Sequence, residues 1–66
     1  METLDRITLN PAVMGGKPCI RGTRITVGTI VGLLASGHAE SRVLELYREL
    51  APDDIRQALK FAADNI

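Results

Sequence analysis

Cysteine, aromatic side chains and net charge are what this 66-residue chain has least of. Cys19 is the single cysteine, so no disulfide can close within the chain, and it reads as an ordinary thiol of a reducing compartment. With one cysteine and one histidine, His38, the chain falls short of the about four ligands of a structural zinc site. Tyr47 and Phe61 are the only aromatics, so the core must be aliphatic, drawn from an apolar content of 45%. The longest apolar-rich stretch, Val27 to Ala35, is far shorter than the ~20 residues of a membrane span. The opening "METLDRITLN" holds no apolar run of the kind a signal peptide needs. The expectation is a soluble, cytoplasmic protein without a membrane partner. Eight Lys and Arg balance eight Asp and Glu, and a net charge of zero argues against strong general affinity for nucleic acid.

A chain this short buries only about 60% of the surface its unfolded form exposes. Small folds make up the deficit with disulfides, a metal or a partner subunit. The first two are closed off here, which leaves a homodimer or a partner protein.

What charge there is sits unevenly. Residues 1–37 carry four bases and two acids, net +2, and residues 38–66 carry four bases and six acids, net −2. The stretch "GGKPCIRGTRITV", residues 15–27, holds three glycines, a proline and three basic residues, with no acid.

The expected fold is a single domain over residues 1–66. It is mostly α: a three-helix helix-turn-helix domain with one or two short N-terminal strands. Residues 5–26 form a strand and a Gly-rich basic hook, and residues 27–64 form three helices. "RITL" alternates polar and apolar residues, placing Ile7 and Leu9 on one side of a short strand that Asn10-Pro11 ends. Gly15, Gly16, Pro18 and Gly22 are turn residues, and Ile20, Ile25 and Val27 turn inward. The first helix spans about 27–36, with Val27, Ile30, Val31 and Leu34 on one face and Gly37 as its stop. Gly28 and Gly32 fit either close approach of another backbone or, for Gly28, a frayed first turn. The second helix, about 39–49, buries Val43, Leu46, Tyr47 and Leu50. The third, about 52–64, buries Ile55, Ala58, Leu59, Ala62 and Ile66, with Pro52, Asp53 and Asp54 suited to its first turn. About two residues join these last helices, which permits a helix-turn-helix. Ala39 and Ala51 occupy the N-cap positions, where alanine typically costs about 1 kcal/mol against Ser, Thr or Asp.

"NPAVMGGKPCIRGTRITV", "LLASG" and "LAPDDIRQALKFAADN" together resemble the small bacterial proteins catalogued as domain of unknown function 433. The resemblance covers residues 7–64. It implies a homeodomain-like or winged-helix-like helix-turn-helix fold that dimerises. It also implies an antitoxin of a toxin–antitoxin pair, whose partner is a PIN-like ribonuclease toxin; double-stranded operator DNA is a further candidate partner, on the strength of the basic residues. The chain departs from the family pattern at Arg48, where proline is usual, and at Ala39 and Ala51, where Ser or Thr is usual.

Each candidate residue has a structural reading beside its functional one. Lys17, Arg21 and Arg24 on a Gly-rich turn are candidates for phosphate binding, although the P-loop order is absent. Otherwise the glycines serve the bend, and Arg21 and Arg24 pair with acids of the C-terminal half or of a second subunit. Arg56, Gln57 and Lys60 on the third helix suit DNA contacts. Asp53 and Asp64 share their face and bring its charge near zero, as on an ordinary solvated helix. Phe61 falls off the third helix's stripe beside Asp54 and Gln57, which marks either an interface or packing on the N-terminal strands. Ile7, Leu9 and Leu33 are the other interface candidates. Cys19 and His38 have no third group to make a thiolate pair, and capping explains Asp53 and Asp54 better than metal binding does. No enzyme activity, cofactor or small-molecule substrate is expected. The alternative to the antitoxin is a small dimeric protein-interaction module with no nucleic-acid role.

Overall fold

A computed structural model describes residues 3–65. In chain order the elements are β1 (Ile7–Thr8), a 3₁₀ turn (Met14–Gly16), β2 (Cys19–Ile20), α1 (Val27–Ala35), α2 (Glu40–Leu46) and α3 (Pro52–Asp64). β1 and β2 form a two-stranded antiparallel sheet, with Ile7 opposite Ile20 and Thr8 opposite Cys19. The domain is therefore small and mostly α, with its short sheet at the N-terminal end.

The hook between β2 and α1 exists, and its glycine has a specific task. Gly22 has φ +79, in the left-handed region where a Cβ is penalised. That turn lets Thr23 N–H reach the Ile20 carbonyl (3.0 Å) and Ile20 N–H reach the Ile25 carbonyl (2.9 Å). Ile20, Ile25 and Val27 are all buried, as their pattern predicts. Thr26 then caps α1: its hydroxyl accepts from Thr29 N–H at 3.0 Å.

α1 ends in a Schellman motif. Gly37, at φ +97, donates to Leu34, and His38 N–H reaches back to Leu33. Gly28 and Gly32 face outward, and a Cβ on Gly32 would meet nothing within 4 Å in this chain. No neighbouring backbone of the described residues explains them.

α2 is shorter than expected. The chain leaves the helical path at Tyr47 (φ −124, ψ 89), and residues 47–51, not about two, connect to α3. Leu50 enters the core from that turn, anchored by its N–H on the Tyr47 carbonyl (3.0 Å). Leu46, assigned to the buried stripe by its spacing, is instead exposed.

α3 spans the expected residues but is rotated. Asp54, Ile55, Gln57 and Ala58 are its buried residues, with Phe61 and Ala62 half-buried behind them. Leu59, placed in the core by the sequence pattern, is 42% exposed. At 100° per residue the inward face is turned by roughly 60° from the purely apolar stripe. Ile66, the last member of that stripe, lies outside the described residues. The core itself is aliphatic: Ile20, Ile30, Val43 and Ile55 are fully enclosed, and α1 packs chiefly on α3.

Both alanine N-caps stand where expected, and neither offers a side-chain hydrogen bond. At α3 half of a capping box is present, since the Asp54 carboxylate accepts from Ala51 N–H at 2.8 Å. Ala51→Thr adds the missing half on an exposed residue. It should stabilise the domain by about 1 kcal/mol, raising Tm by about 4–8 °C for a chain of this size. An unchanged calorimetric Tm would mean that the hydroxyl does not reach the free N–H groups of the first turn.

Candidate functional site

The three basic residues of the hook meet different fates. Arg21 leads away from β2, and its backbone N–H bonds the Arg6 carbonyl (2.7 Å). Its side-chain Nε donates to the Asp5 carbonyl at 2.7 Å. Arg24 is exposed and makes no hydrogen bond or ion pair among the described residues. Lys17 is exposed after the 3₁₀ turn and likewise has no side-chain partner among them.

Arg21 and Arg24 border an open groove of about 740 Å³ between the hook and the chain that runs from β1 to the 3₁₀ turn. Ile7, Leu9 and Val13 line its apolar side, and Arg21, Gly22 and Arg24 its polar side. The groove thus brings together two of the expected phosphate-binding residues and two of the expected interface residues. Lys17 does not line it. No acid is among the residues that line the groove, while two arginines are.

The polar residues of α3 are arranged differently. Arg56 Nε lies 2.6 Å from Asp53 Oδ1, and Lys60 Nζ lies 3.2 Å from Asp64 Oδ1. The near-zero charge of this face is therefore realised pair by pair. Gln57, expected on the same exposed face, is only 2% exposed. Its Oε1 accepts from Arg6 N–H (2.8 Å), and its Nε2 donates to Asp5 Oδ1 (2.9 Å) and Asp53 Oδ2 (2.8 Å). Both amide hydrogens are used, so Gln57 has no donor to offer a base edge.

Arg6 completes this clasp. Its Nε pairs with Asp54 Oδ1 at 2.7 Å, and Asp54 is 1% exposed. The Asp54 hydrogen bond, followed by its charge, holds the Arg6 guanidinium proton more tightly than usual. The Asp53 carboxyl is held below its ordinary range, first by the hydrogen bond from Arg56 and then by that from Gln57. The arginine that reaches the C-terminal acids is thus Arg6, and neither Arg21 nor Arg24 does so among the described residues. Asp54 at the third position of α3 was the one sequence signal for this network; nothing local pointed to Asp5 or Arg6.

The clasp also accounts for Phe61. It is half-buried against the core, on the α3 face that carries Asp54 and Gln57. Ile7 and Leu33 are half-buried too, which leaves Leu9, at 63%, as the one expected interface residue that is open to solvent. Cys19 is buried with its thiol 3.3 Å from the Lys17 carbonyl, while His38 is exposed. No group of three or more metal-ligating side chains occurs among the described residues. No helix among them is long and apolar enough to cross a membrane.

Residues 7–62 match the family model described as "Protein of unknown function (DUF433)". An uncharacterized protein, y4eO, of Sinorhizobium fredii (strain NBRC 101917 / NGR234) is 37% identical over 59 residues, which are 89% of this chain and 27% of that protein. The crystal structure of a DUF433 member from Anabaena variabilis ATCC 29413 superposes with a TM-score of 0.87 at 33% identity. That match covers 91% of this chain and 59% of the other. The chain thus spans about a quarter of the length of the first relative and about three fifths of that of the second.

Proposed function

The chain belongs to the DUF433 family of proteins of unknown function, and from that membership we propose that it is an antitoxin-like binding module. Its partner is a PIN-like ribonuclease encoded alongside it, and it acts as a dimer. The observation that carries the binding surface is the groove, lined both by Arg24, whose guanidinium has no partner among the described residues, and by exposed Leu9. Apolar area with a cation at its rim suits a protein surface that carries acids. A metal-dependent ribonuclease active site is acidic, and covering it with such a rim would inhibit by occlusion. The antitoxin part of this reading rests on the family resemblance.

Operator binding is the weaker part. On α3 Arg56 and Lys60 are each paired with an acid and the Gln57 amide has both its hydrogens engaged, so a DNA contact would fall to Lys17, Arg21 and Arg24 of both copies. Neutralising about six phosphates gives a slope of log K against log salt near −5. A mobility-shift titration with upstream DNA should return that slope if DNA is a ligand. A slope near zero, or no shift at low salt, leaves the module with protein partners alone.

Co-expression with the neighbouring gene's product, followed by pull-down, tests the main claim. Wild type should capture the product, Arg24→Glu should lose it, and sedimentation at micromolar concentration should show about twice the 7.1 kDa chain mass. A monomer that captures nothing would end this reading.

A further inference from the structure

Several of the polar hydrogens that line the groove are already committed. Thr23 Oγ1 donates to the Ile20 carbonyl (2.9 Å) and accepts from Ile25 N–H (3.0 Å). Thr8 Oγ1 donates to the Cys19 carbonyl at 3.4 Å, and Asn10 Oδ1 accepts from Ala12 N–H at 2.9 Å. Arg21 commits only its Nε, to the Asp5 carbonyl, and Arg24 commits nothing to the described residues. The unspent side-chain hydrogens therefore all sit on nitrogen: the terminal nitrogens of Arg21, the guanidinium of Arg24 and the Asn10 amide. Gly22, which has only backbone to line the groove with, adds an N–H that makes no hydrogen bond among the described residues.

Charge and wall chemistry narrow the occupant. Neither arginine has a carboxylate partner among the described residues, and no acid lines the groove. Two such guanidiniums suit a doubly charged anion, and their planar forks fit the oxygens of a phosphate. A single carboxylate would leave one charge unmatched. Ile7, Leu9 and Val13 make the other wall aliphatic, and no aromatic residue lines the groove, so a nucleobase has no platform on which to stack.

We propose that the groove is a binding site for a small aliphatic phosphate monoester. Its dianionic head lies between Arg21 and Arg24 and accepts from the Gly22 N–H, and its short carbon chain lies on Leu9 and Val13. Arg24 also serves the protein-partner reading above, but this site does not rest on that reading and is tested without a partner.

The test is an NMR titration of the chain with butyl phosphate, beside inorganic phosphate, butyrate and a short DNA duplex. Butyl phosphate should shift the amides of Leu9, Val13, Gly22 and Arg24 and bind with a Kd of about 1 mM, as a ligand of so few atoms in an open site does. Inorganic phosphate and butyrate should each bind about fivefold more weakly or worse. Arg24 and Leu9 are exposed, so Arg24→Gln and Leu9→Ser should both keep the fold. The first should weaken butyl phosphate by about fivefold or more, and the second should bring it down to the level of inorganic phosphate. Acidification from about pH 7.5 to about pH 5 should weaken binding by about fivefold, because a phosphate monoester takes up its second proton near 6. The lining residues include neither histidine nor carboxylate, and arginine does not titrate in this range, so that loss belongs to the ligand.

Unmoved amides at Gly22 and Arg24 would overturn the site. Equal affinity for inorganic phosphate would overturn it too, by reducing it to charge attraction, as would an affinity indifferent to pH or to Arg24→Gln. Shifts with the duplex but not with butyl phosphate would make the hook a nucleic-acid contact instead. Failure of this titration leaves capture of the neighbouring product standing, and failure of that capture leaves the titration standing.

Discussion

Gln57→Glu should strip about 3–5 kcal/mol from the domain at neutral pH although it changes almost no volume. The amide Nε2 donates to the carboxylates of Asp5 and Asp53, at 2.9 and 2.8 Å. A carboxylate in its place turns two attractions into two repulsions at a site that is 2% exposed. Leaving an uncompensated charge in such a site costs about 3–5 kcal/mol. At 0.05–0.15 kcal/mol per residue, the whole domain has roughly 3–10 kcal/mol to lose. The introduced carboxyl would have a folded-state pKa above the ~4.3 of the unfolded chain. Its penalty is full above that raised value and fades as pH falls to the unfolded one, because the folded state then binds the proton more tightly. The deficit of the variant against wild type in urea unfolding should shrink as pH falls to about 4–5. Wild type moves the other way further into acid. The depressed Asp53 pKa contributes stability that is present above the unfolded value and lost as pH falls through the folded one. A variant as stable as wild type at pH 7 would show that Gln57 does not sit between two carboxylates.

Ile30→Ala and Ile55→Ala should each cost about 2–5 kcal/mol in urea unfolding, the usual range for emptying a fully enclosed aliphatic site. Both side chains are completely buried, in the two helices whose packing holds the core together. Leu46→Ala and Leu59→Ala make the informative contrast. By periodicity alone they belong to the buried stripes of α2 and α3, yet they are 45% and 42% exposed. Each should cost less than about 1 kcal/mol, as surface changes do. Equal losses at Leu59 and Ile55 would return α3 to the orientation that its hydrophobic pattern suggests and would undo the clasp.

That contrast marks how far local pattern reached. α3 was legible to the residue, because Pro52, two acids and a long periodic run are all local signals. Gly37 was legible as a stop and Gly22 as a bend for the same reason. Gln57 was not: a glutamine between Arg56 and Ala58 looks like surface until the N-terminal arm is laid across it. Its burial depends on Asp5 and Arg6, some fifty positions away, and no window along the chain spans that distance. Leu46 and Leu59 fail in the mirror sense, since periodicity gives a face but not the direction in which that face is turned.

The groove divides along the same line. Composition alone set an uncrosslinked chain with an aliphatic core, an acid-free segment carrying Arg21 and Arg24, and an apolar pair at Ile7 and Leu9. Which arginine is left without a partner among the described residues depended on the tertiary structure. The N-terminal arm spends Arg6 on buried Asp54 and ties Arg21 to the Asp5 carbonyl, while Arg24 bonds to neither. Charge and hydrophobicity are properties of residues and can be read singly; whether a charged group is left without a partner depends on what does not come near, and only the packed chain decides that.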